Sequence, residues 1–101
     1  MAGSGSLLTQ SAVTVDTTVG GTVIAAANGD RDAVIIRNNG DDGGVIVYIG
    51  GSGVTVADGT PLENGAAAGV PGASLTIRGS AEVRGIVSAG SQEVRVLEVA
   101  D

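Results

Sequence analysis

Residues 31–51 read RDAVIIRNNGDDGGVIVYIGG. Two β-rich apolar runs, Ala33–Ile36 and Val45–Ile49, flank a polar segment, Asn38–Gly44, built almost wholly of Asn, Asp and Gly. Val and Ile suit a pleated, half-buried surface. Asn39-Gly40 supplies the positive φ angles of a chain reversal. Because the segment is longer than a two-residue link, the stretch predicts a β-hairpin closed by a bulge or a wider loop. Gly50-Gly51 ends its second strand. Fold is what this stretch speaks to, since it holds no chemistry that names a reaction.

The same pattern continues on both sides. Upstream, Met1 to Ala12 form a Gly/Ser-rich arm with one apolar pair, Leu7-Leu8, read as a mobile tail or a strap that docks on a neighbouring subunit. Val13-Thr14-Val15 and Thr22–Ala27 follow as short strands, with Asn28-Gly29-Asp30 as a turn. Downstream, Val54-Thr55-Val56 is a short extended piece. Ala57 to Pro71 is the longest irregular stretch, read as a surface loop and a candidate contact element. Ala73–Arg78, Glu82–Ser88 and Gln92–Val99 are the last three strands. In the final one Val94 and Val96 oppose Glu93, Arg95 and Leu97, so both faces carry apolar weight, as expected where one side packs inward and the other meets a second surface. The expectation is an all-β chain. Residues 1–12 form an extended N-terminal arm and residues 13–101 one domain, an antiparallel β-sandwich or jelly roll of about seven or eight short strands.

Composition narrows the function classes. The 101 residues suffice for one core. Val, Ile and Leu number 27, there is no Phe or Trp, and Tyr48 is the single ring, so the core is aliphatic. Eighteen glycines raise the entropy cost of ordering the chain. A domain of this kind is expected to be only modestly stable alone and to gain from assembly. A net charge of −6 argues against nucleic-acid binding. With no cysteine, disulfides and thiolate metal sites are excluded. The longest apolar runs are five residues, as in Val23–Ala27, too short to span a membrane as a helix. No signal peptide is read, so synthesis and retention in a cytoplasm are expected.

Catalytic chemistry finds few residues to rest on. Without histidine there is no imidazole base or His-ligated zinc, and without lysine no Schiff base. An enzyme is not expected. Asn28, Asp30 and Asp32 have the alternating spacing of calcium ligands, but Ala33 and Asn39 stand where an EF-hand loop needs Gly and Glu. No cofactor or metal is expected. Four of the five arginines, Arg37, Arg78, Arg84 and Arg95, fall inside expected strands. Arg favours planar, bidentate pairing and partly buried interface positions. Glu82, Glu93 and Glu98 are its expected partners, across strands of one subunit or between subunits. Tyr48 reads as a hydrophobic contact with its hydroxyl at an edge.

The chain after Val13 resembles small structural proteins of tailed bacteriophage virions, many of them head decoration (cement) proteins. The shared pattern is Arg31, then Val34–Gly40 as an aliphatic strand ending in Asn-x-Gly, then Val47-Tyr48-Ile49-Gly50-Gly51, Val54-Thr55 and Pro61-Leu62. Val94–Glu98 agrees as a final strand, while Asp41–Gly44 lengthens the loop relative to the pattern. The resemblance implies a homo-oligomer, a trimer favoured, on the outer capsid surface of the virion. There it would clamp neighbouring copies of the major capsid protein. Leu7, Leu8, Arg37, Tyr48, Pro61, Leu62, Arg78, Arg84 and Arg95 are the candidate interface residues. The alternatives are an adaptor domain of a tail, spike or fibre, and a non-viral ligand-binding β-sandwich.

Overall fold

The computed structural model describes residues 7–101, which form eight strands. They are β1 Leu7–Val15, β2 Thr22–Ala25, β3 Arg31–Asn38, β4 Val47–Gly50, β5 Thr60–Leu62, β6 Ser74–Arg78, β7 Val83–Ile86 and β8 Gln92–Ala100. Two four-stranded sheets result, in the orders β1-β8-β3-β6 and β2-β7-β4-β5. Every pairing is antiparallel. The strands pair first with last: β1 with β8, β2 with β7, β3 with β6, β4 with β5. That is the connectivity of a jelly roll, a long two-stranded ribbon bent over so that its halves become two facing sheets. The all-β antiparallel sandwich expected from the sequence is the fold observed.

Alternation explains which face of each strand is buried. From the first sheet Val34 and Ile36 of β3, Val94 and Val96 of β8, and Val15 of β1 point inward. The second sheet answers with Ile24, Val47, Ile49, Leu62 and Val83, joined by Val87. Leu75 and Ile77 of β6 lie opposite Ile36 and Val34 and pack on this cluster from the side. Gly85 of β7 faces the core because nothing larger fits: a Cβ there would stand 2.7 Å from Ile24 Cδ1 and 3.1 Å from Val47 Cγ1.

The two ends of β3 carry the buried polar side chains, Arg31 and Asn38. Arg31 closes one end of the sandwich. Its Nε donates to the Gly79 carbonyl at 3.0 Å, one terminal nitrogen to the Ala26 carbonyl at 2.9 Å and the other to the Ala81 carbonyl. Glu98 lies 3.8 Å away as counter-charge. Asn38 closes the other end. Its Nδ2 donates to the Val45 and Leu62 carbonyls, each at 2.9 Å, while its Oδ1 accepts from the Gly40 N–H at 2.9 Å. No buried side-chain polar atom among the described residues lacks a partner.

Four local expectations are corrected. Ala33–Ile36 and Val45–Ile49 do not form a hairpin, because both sides of β3 are occupied by β8 and β6. The polar segment instead carries the chain across to the other sheet, where β4 pairs β5 and β7. The Ala57–Pro71 region is not wholly irregular, since it contains β5, and Leu62 is a core residue 3% exposed. Residues 1–6 of the expected arm lie outside the described residues. Leu7–Ala12, however, are the first part of β1, paired residue for residue with Arg95–Ala100. Val54–Val56 contributes only a bridge from Val54 to Gly20.

Candidate docking face

The outward side of the β1-β8-β3-β6 sheet is set by the same alternation that builds the core. Register places Leu8 beside Val99, Gln10 beside Leu97 and Ala12 beside Arg95. On the next strand Ile35 lies beside Leu97 and Arg37 beside Arg95, and on the edge Thr76 lies beside Ile35. Leu8 is 63% exposed, and Ile35, Leu97 and Val99 are half-buried, with no second layer over them among the described residues. A shallow groove of about 650 Å³ runs across this face, lined by Gln10, Ala12, Ile35 and Leu97 with Arg37 and Arg95 at its rim. Contiguous exposed aliphatic surface of this kind is a common feature of interaction sites on soluble proteins.

The charges of this face run against those of the chain. Arg37, Arg78 and Arg95 project outward from it, with Glu93 beside Arg95 on the same face, on a chain of net charge −6. Arg95 Nε donates to Glu93 Oε1 at 2.8 Å, and Asn39 Nδ2 donates to the same oxygen at 3.0 Å. The Arg95 hydrogen bond and charge, with the Asn39 bond, hold the Glu93 carboxyl below its ordinary value. Arg37 is exposed and directly opposite Arg95 in the register. Like charges in that position destabilise a sheet.

The other candidate residues divide among different surroundings. Tyr48 is half-buried on the outer side of the second sheet, between Pro61 and Ile86, with Pro61 exposed. Tyr48 and Pro61 therefore face away from Arg37 and Arg95. Arg84 is engaged within the molecule, its Nε 2.7 Å from Glu82 and a terminal nitrogen 3.5 Å from the Gly20 carbonyl. Leu7, 55% exposed, is on the side of β1 opposite Leu8. Leu62 is withdrawn as a contact residue because β5 turns it into the core. The arginine–glutamate pairs at Arg84 and Arg95 are two residues apart in sequence, Glu82 just before β7 and Glu93 within β8, and each links an arginine to a near neighbour rather than across strands. Arg31–Glu98 crosses from β3 to β8.

Sequence reasoning missed Gln10, Ala12, Ile35 and Val99. The unbroken apolar run Ala33–Ile36 was the available signal, since a strand buried on one face only would alternate. The acidic loops serve the fold itself. Asp41 accepts from the Gly69 and Gly43 N–H groups, each at 3.0 Å, which pins the Asp41 loop to the loop before β6 and lowers its carboxyl's affinity for a proton. Asn28 Oδ1 likewise accepts from Asp30 N–H at 3.0 Å, closing a turn. Among the described residues no group of three acidic, His or Cys side chains is placed to hold a metal ion.

No protein-family model matches the chain, and no curated protein matches it by sequence. A solved structure of Bacillus endospore appendages, described as a novel family of disulfide-linked pili, is similar at 20% identity and a TM-score of 0.49, over 92% of this chain and 88% of that one.

Proposed function

We propose that this chain is a structural docking subunit that lays the outer face of β1-β8-β3-β6 on a larger protein assembly. Following the sequence resemblance, that assembly is the head of a tailed phage, on which the chain acts as a decoration protein contacting the major capsid protein. One observation carries the reading: the uncovered aliphatic strip Leu8, Ala12, Ile35, Leu97 and Val99 on an otherwise acidic molecule. The jelly roll itself does not select the role, because capsid, lectin and cupin domains share it.

Area sets how such docking works. Four strands about 4.8 Å apart and about eight residues of 3.3 Å each present roughly 500 Å². A standard interface buries about 800 Å² on each partner. One copy therefore binds modestly, and a repeated lattice or a homo-oligomer supplies the remainder by avidity. Stoichiometry of purified particles tests the proposal. Hundreds of copies per head are expected, tens or fewer would move the chain to a tail or fibre, and absence from particles would overturn the reading.

A further inference from the structure

The docking face is chemically specific, and what it lacks describes its occupant. Arg37 and Arg95 stand on adjacent strands in direct register, about 5 Å apart at their Cβ positions by ordinary sheet geometry. Arg95 has Glu93 as counter-ion, whereas Arg37 is exposed with no acid beside it in the register, its neighbours being Arg95 and Ser74. Both rim the groove whose floor is Ala12, Ile35 and Leu97. Two guanidinium groups side by side cost stability in the free protein. They become favourable when a carboxylate from outside spans them, through charge-assisted and bidentate hydrogen bonds.

We propose that the face binds an acidic–aliphatic segment of a partner protein, with a carboxylate between Arg37 and Arg95 and an aliphatic side chain on Ala12, Ile35 and Leu97. This rests on the docking reading of the same face and adds the partner's chemistry to it. Charge complementarity favours a protein carboxylate over a bare anionic polymer, because an apolar floor adjoins the arginines. The opposite choice of sign on an acidic chain also disfavours a basic partner, which would meet three arginines.

The test uses the whole chain and a labelled peptide alternating aspartate with leucine and valine, read by fluorescence anisotropy. Saturable binding is expected, weakened about tenfold, or about 1.4 kcal/mol, by Arg37→Gln with a similar further loss for Arg95→Gln. The asparagine version of the peptide should lose as much, and added salt should weaken the aspartate peptide. Arg37→Gln should leave the melting temperature of the free protein unchanged or raise it, which a merely structural arginine would not do. The proposal is overturned if both peptides bind alike, if Arg37→Gln leaves binding intact, or if polyphosphate competes as strongly as the peptide. Sedimentation showing a dimer abolished by Arg37→Gln would assign the face to a second copy and overturn it too. Absence from particles would overturn the docking reading and leave the peptide result standing, so the two failures are distinct.

Discussion

Arg31 and Asn38 do for this fold what a larger ring-bearing core does elsewhere. Each sits at one end of β3 and gathers carbonyls at the ends of the sandwich: Ala26, Gly79 and Ala81 from loops at one end, Val45 before β4 and Leu62 at the end of β5 at the other. A buried guanidinium contributes little net when replaced whole by apolar volume, yet removing one partner strands the rest. Arg31→Met should therefore cost about 3–5 kcal/mol, since it leaves three carbonyls and Glu98 without their donor. Urea unfolding would show this as a lowered midpoint at unchanged slope. A cost under about 1 kcal/mol would mean that water replaces the guanidinium and that the end of the sandwich is open. The sequence marks both residues by type and place, flanking an aliphatic run. It does not reveal that they are buried, because that depends on loops about 50 residues away closing over Arg31.

At the scale of elements, alternation was readable wherever side chains obey it. Val94 and Val96 against Arg95 and Leu97 gave β8 and its two faces, and Leu75 with Ile77 gave β6. Pairing was not readable, because the turn-forming residues of Asn38–Gly44 state that the chain bends without stating which strand it meets next. In a jelly roll the adjacent strands of one sheet that are also consecutive in the chain are β4 and β5. That hairpin was hidden because β5 is three residues long and contains Pro61. β1 was hidden for a different reason: Leu7–Ala12 lacks a buried face, so its residues show no alternation, and only β8 orders them. Deleting residues 1–12 should accordingly lower the melting temperature, by stripping six pairs from β8 and baring its edge. An unchanged melt would show that β1 contributes only its last three residues. Gly85→Val tests the opposite layer. Its Cβ would stand 2.7 Å from Ile24 Cδ1, so a loss of about 1–3 kcal/mol is expected in the same unfolding measurement.

For the molecule as a whole, acid is the condition that separates fold from charge. Asp16, Asp41 and Asp58 are each held below their ordinary 3.8 by hydrogen bonds: to Thr18 and Thr22 for Asp16, to Gly69 and Gly43 for Asp41, and to Thr55 for Asp58. Glu93 is held below 4.5, first by Arg95. A depressed carboxyl stabilises the folded state fully above its unfolded value and loses that contribution as pH falls through its folded value. Melting temperature should thus be flat from neutral pH to about 5 and fall progressively below about 4.5. Asp16→Asn should make that acid decline shallower, and an unaltered slope would exclude the Thr18–Thr22 cluster as a contributor.

The pairing of β1 with β8 has a consequence in time. Residues near the two ends of the described chain lie side by side, Leu7 against Ala100, with the whole of the intervening sequence closed as a loop between them. During synthesis β1 leaves the ribosome long before β8, its one sheet neighbour among the described strands, exists, and β3 waits for that same neighbour on one of its sides. The first sheet is completed by the last of the eight described strands. The nascent chain thus carries an unmated, charge-free ribbon, LLTQSAVTV, until β8 has been made, and crowded translation is where this protein is most exposed to mispairing with its own siblings.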